Sequence, residues 1–162
     1  MSAVVQQSPL PSRHALRNLV ESLIGRDVDI SDGVPVVNRT TNVVGVYVND
    51  RLGLQAVCVI DIELAARFGG ALGMVPRGGV EDAISERSLP EVLRANCYEV
   101  LNVIAAVFNV ANAPHVRLYE MYGPNAAIPG DVAAVAGLAG SRMDVTMKVA
   151  GYGDGHMSIV VR

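Results

Sequence analysis

SLPEVLRANCYEVLNVIAAVFNV, residues 88–110, reads as one amphipathic helix around which the rest of the chain is organised. It opens with a start signal: Ser88 as N-cap, Pro90 in the first turn and Glu91 three residues after the cap. At 100° per residue, Leu93, Cys97, Val100, Ile104, Val107, Phe108 and Ala111 gather on one side. Ser88, Glu91, Ala95, Glu99, Asn102, Ala106 and Asn109 gather nearly opposite. Glu99 and Asn102, three apart, therefore stand side by side on the outer face. Ala95 and Ala106 beside them are short, so an incoming surface could reach both tips. Glu and Asn on a wet helix face are ordinary. Asparagine inside a helix is less so, because it favours caps and turns, yet Asn96, Asn102 and Asn109 all fall within this window.

Upstream, residues 1–11 (MSAVVQQSPLP) carry two prolines and no period, and read as a loose tail before a single domain over residues 12–162. Ser12 can cap a helix from Arg13 to Ile24, ended by Gly25. Asp27, Asp29 and Asp32 follow closely. A calcium loop counted from Asp27 would want Gly at Asp32 and Glu at Asn38, so this reads as an acidic surface loop. Val43 to Val48 and Leu54 to Ile60 read as strands joined by a short hairpin loop. The second, LQAVCVI, is apolar almost throughout, as an inner strand would be. Asp61 can cap a helix from Ile62 to about Leu72. Residues 75–87, Gly-rich but without the Lys and Ser/Thr of a P-loop, read as a mobile connection with room for one helical turn.

Downstream come three strands: Val116 to Tyr122, Arg142 to Val149 and His156 to Val161. The middle one alternates Met143, Val145, Met147 and Val149 against Asp144, Thr146 and Lys148, one face buried and one wet. GYGDG, residues 151–155, supplies the hairpin turn before the last strand. GPNAAIPGDVAAVAGLAG, residues 123–140, reads as a connection. The order αββααβββ, with hairpins at both ends, gives an α+β domain: an antiparallel sheet with helices packed on it.

Composition narrows the function classes. A net charge of −3 leaves no electrostatic footprint for nucleic acid or an anionic membrane. No apolar run approaches the ~20 residues that span a bilayer, and no leader-like segment opens the chain. Cys58 and Cys97 fall in apolar settings, as buried reduced thiols would, which fits a cytoplasmic location. His14, His115 and His156 show no metal-ligand spacing.

From Val43 to Arg162 the chain resembles the CheC/CheX/FliM-type chemotaxis phosphatases, and most closely the single-copy CheX-like branch. VVGVYVND and LQAVCVIDIELAARFGGALG look like the family's strand-hairpin-strand-helix opening. CYEVLNVIAAVFN looks like its motif helix, in which a Glu and an Asn three residues later form the functional pair, here Glu99 and Asn102. GPNAAIPG looks like its Pro-containing segment, with Pro124 and Gly130 as the recognisable points. Two departures stand out. Ala95 occupies the position where the family often has Asp or Ser, and Pro124 lies about one residue closer to the Asn than usual.

The resemblance implies hydrolysis of the aspartyl-phosphate on a CheY-like response regulator, with Asn102 orienting the water and Glu99 pairing with the receiver's lysine. It implies no cofactor of the chain's own, the divalent metal being the receiver's. A non-catalytic scaffold that binds a receiver or a flagellar-switch-type partner is the alternative. CheX-like relatives pair through their sheets, and Met157 to Val161 offers an aliphatic strand edge, so a homodimer is expected.

Overall fold

The computed structural model describes residues 7–36 and 40–162. Residues 1–6 of the expected tail, and Asn38 of the rejected calcium loop, lie outside them. Ser8, within that tail, is buried and its hydroxyl donates to Gln55 Oε1 at 3.2 Å.

Helix α1, Arg13–Ile24, is capped by the Ser12 hydroxyl and closed by Gly25 in the left-handed region. Strands β1 (Val28–Asp32), β2 (Val43–Val48) and β3 (Leu54–Ile60) follow, then helices α2 (Ile62–Gly73), α3 (Arg77–Glu86) and α4 (Glu91–Ile104). A 3-10 turn, Ala105–Phe108, extends α4. Strand β4 (Arg117–Tyr122), helix α5 (Gly130–Ala136) and strands β5 (Arg142–Val149) and β6 (Gly153–Val161) complete the chain. The six strands form one antiparallel sheet in the order β1-β5-β6-β3-β2-β4. This is an α+β domain.

Helices α1, α2 and α4 cover one face. Leu16, Val20, Phe68, Val100, Leu101 and Ile104 meet Tyr47, Cys58, Met147 and Ile159 there in an aliphatic core. Helix α5 covers part of the other face, where Val132 and Val135 meet Val44, Val46, Val57 and Val160. Because both faces are covered in the middle, β2 and, apart from Gln55, β3 are apolar without alternation and buried along their whole length.

Three elements go beyond the expected order. The acidic segment at Asp29 and Asp32 is an edge strand, recruited by pairing from Val28↔Val149 to Asp32↔Val145. Helix α3 forms despite Gly78 and Gly79 in its first turn, because Val80 and Ala83 are buried against the core. Helix α5 arises inside the expected connection, with Pro129 preceding its first residue. The expected aliphatic edge at Met157 to Val161 is also corrected: β6 pairs with β5 on one side and β3 on the other, so it is central. The open edges of the sheet are β1 and β4.

Candidate functional site

Helix α4 begins later than its sequence signal. Ser88 is not its N-cap, because it belongs to the end of α3. Arg87, left-handed at φ 51°, donates its N–H to Ile84 and Ser88 donates to Ala83, a pair of bonds that closes a Schellman motif. The chain then runs extended through Pro90, and the helix starts at Glu91, whose carboxylate suits the positive end of the dipole.

The amphipathic reading of α4 holds as far as Phe108; Ala111, expected on the inner side, lies beyond the helix and is exposed. Leu93, Cys97, Val100, Leu101 and Ile104 are buried, while Glu91, Ala95, Glu99, Asn102 and Ala106 are exposed. Val92 and Tyr98 add exposed apolar surface, at 62% and 40% accessibility.

The three asparagines differ in what holds them. Asn96 donates to the Gly69 carbonyl at 3.0 Å and fastens α4 to α2. Asn109 lies beyond the helix, at the end of the 3-10 turn, and not on its outer face. Its amide grips Val116 twice: Oδ1 accepts from the backbone N–H at 2.7 Å and Nδ2 donates to the carbonyl at 3.0 Å. Asn102 is different. Among the described residues, neither it nor Glu99 has a side-chain partner. The chain holds an unspent carboxylate and an unspent amide one helical turn apart, with short Ala95 and Ala106 to either side.

The sequence reading missed what supports this face. Arg94, one turn before Tyr98, donates through Nη1 to the Gly123 carbonyl at 2.8 Å. That bond ties the segment carrying Pro124 to α4. Below the helix, Gly45 in β2 leaves room for Leu101: a methyl group there would sit 3.2 Å from Leu101 Cδ1. Beside it Tyr47, fully buried, donates its hydroxyl to the Leu101 carbonyl at 2.6 Å. Cys58 and Cys97 are buried and unpaired with each other. Burial pushes the Cys97 thiol up to about 12 and the Cys58 thiol higher still. Neither is a nucleophile. Among the described residues, no three His, Cys, Asp or Glu come together to hold a metal ion.

No family model matches the sequence, and no curated protein matches it. Solved structures do match. The FliM-SpeE complex from H. pylori aligns over 91% of this chain and 80% of that chain, with a TM-score of 0.58 and 12% identity. The CheX-CheY-BeF3-Mg+2 complex from Borrelia burgdorferi aligns over 91% and 93%, with a TM-score of 0.57 and 15% identity. The fold is of the CheC/CheX/FliM type. Thermotoga maritima FliY shares it, at a TM-score of 0.53 and 14% identity over 90% of this chain and 82% of that one. At such identities the likeness carries the architecture and not the chemistry. No helix among the described residues is long and apolar enough to cross a membrane.

Proposed function

We propose that this chain is a CheX-like phosphatase that hydrolyses the aspartyl-phosphate of a CheY-like response regulator. The carrying observation is the exposed, partnerless Glu99 and Asn102 on α4, against Asn96 and Asn109, which are spent on structure. An acyl phosphate is already labile, and its receiver supplies its own lysine and divalent metal. What a helper adds is an oriented water. The Asn102 carboxamide oxygen accepts from that water and holds it in line with the phosphorus. As the new P–O bond forms, the bond to the aspartyl oxygen breaks, releasing inorganic phosphate and a free carboxylate. Glu99 is a poor base beside so much negative charge; it pairs with the receiver's lysine and seats Asn102. Val92 and Tyr98 give the docking face apolar area. A hundredfold acceleration needs only ~2.7 kcal/mol, within the reach of positioning.

A scaffold is the second reading. Ala95, where the family often carries Asp or Ser, and the structural likeness to FliM both favour it. In either case we propose a cytoplasmic homodimer, paired along β1 or β4, since β6 is not an edge.

Loss of label from a phosphorylated receiver, with binding measured separately on a stable phosphate mimic, tests the reading. Asn102→Ala should abolish acceleration and keep binding. Glu99→Ala should weaken binding through loss of a charge-assisted contact worth roughly 1.5–3 kcal/mol. Binding by the wild-type chain with phosphate decay at the intrinsic rate would leave the scaffold reading standing.

A further inference from the structure

The α-helical ladder of α4 ends at the Leu101 carbonyl, next to Asn102. In a continuous α-helix the Leu101 carbonyl would accept the N–H of Ala105, four residues on. Instead the Ala105 N–H turns to the carbonyls of Asn102 and Val103. The Leu101 carbonyl accepts the Tyr47 hydroxyl at 2.6 Å. From Ala105 the chain winds as a 3-10 turn with Ala105, Val107 and Phe108 all buried. Tyr47 also touches the far end of that turn: its ring lies 5.2 Å from the Phe108 ring, tilted by 52°.

We propose that Tyr47 is a positioning residue for Asn102: by taking the Leu101 carbonyl out of the helical ladder, it switches the helix to its tighter turn at Ala105, within one turn of Asn102, and so fixes the direction of that amide.

Three further observations support this. Tyr47 sits between two irregularities of β2: the register against β4 shifts between Val46 and Tyr47, and the register against β3 shifts between Tyr47 and Val48. Such bulges re-aim a side chain, and they concentrate beside functional sites. The hydroxyl is the only polar part of a side chain otherwise set in aliphatic core, where Phe would fill the ring's space at no polar cost. Burial holds the phenol's pKa well above its ordinary value, so it stays protonated and remains a donor.

The functional half of the inference rests on the phosphatase reading, and Tyr47→Phe separates the two. The variant keeps the ring against Phe108 and removes only the donor. In stimulated dephosphorylation, the rate at saturating receiver should fall roughly ten- to hundredfold, as small misplacements of a reacting group do. The dissociation constant for the receiver should be unchanged, since Glu99 lies a turn earlier. Loss of folding would lower the rate and raise the dissociation constant together. By NMR, the Asn102 side-chain amide signals should shift or broaden relative to wild type, and exchange of the Ala105 amide should change. These readouts need no activity, so they decide the positioning even if the wild-type chain hydrolyses no receiver. If Tyr47→Phe fails to fold, the wild-type protein still provides a test. Deuterating the Tyr47 hydroxyl should shift the Leu101 carbonyl carbon. An absent isotope shift overturns the proposal, and so does a Tyr47→Phe protein with unchanged Asn102 signals.

Discussion

Replacing Gly69 with alanine sets two effects of opposite sign against each other. Gly69 lies inside α2, where Gly→Ala alone should stabilise by roughly 1 kcal/mol. But α4 crosses at this point. A methyl group on Gly69 would fall on the Leu93 carbonyl oxygen, with the Leu93 carbonyl carbon and Cα at 3.0 Å, inside the 3.4 Å where ordinary contact begins. The obstacle is helix backbone, which cannot rotate aside, so α4 must withdraw. Overpacking of this kind costs about 1–3 kcal/mol. Withdrawal also stretches the 3.0 Å bond from Asn96 to the Gly69 carbonyl, worth about 1 kcal/mol. The crossing wins, and the net loss is about 1–3 kcal/mol. For a domain of this size that lowers Tm by roughly 3–10 °C. Thermal unfolding followed by circular dichroism, with urea titration beside it, measures the effect. Gly78→Ala is the control: it sits in the exposed first turn of α3 with nothing within 4 Å, and should stabilise by roughly 0.4–1 kcal/mol. If Gly69→Ala raises Tm as Gly78→Ala does, the close crossing of α2 and α4 is wrong.

Asp144 is partly buried, which raises its pKa, but hydrogen bonds from Arg142 and Ser158 and the Arg142 charge outweigh this and hold it below the usual carboxylate value. Its contribution to stability is therefore complete above the unfolded pKa of about 4 and is lost as pH falls through the lower folded value. Urea midpoints across pH should show Asp144→Asn less stable than wild type at neutral pH, with the gap closing in acid; a constant gap would count against the linkage. Cys58 and Cys97 should resist a thiol reagent at pH 8 in the native protein and react together in guanidinium, whereas rapid labelling of either without unfolding would contradict their burial. Asn109→Ala leaves the buried Val116 backbone without either partner and should cost about 1–3 kcal/mol in chemical unfolding; a loss under ~0.5 kcal/mol would show that the clamp is dispensable.

What was legible in the sequence was local. The 3.6-residue period separated Val100, Ile104 and Phe108 from Glu99 and Asn102 because both faces of a helix are written within a few turns. Ser12, Gly25 and Asp61 marked helix ends correctly, since a cap acts on residues three or four away. Ser88 misled because its N–H was already committed to Ala83 of the preceding helix, whose formation against the core Gly78 and Gly79 concealed. Asp29 and Asp32 looked like a loop because the partner that makes them a strand, Val145 to Val149, lies more than a hundred residues away. The central place of β6 has the same origin: strand order depends on which distant strands flank it, and a strand's own residues do not record that. The site divides along the same line. Helical spacing put the Glu99 and Asn102 side chains next to each other. Only packing showed that Asn96 is spent on Gly69 and Asn109 on Val116, and that the hydroxyl of Tyr47, 54 residues earlier in the chain, holds the Leu101 carbonyl beside Asn102.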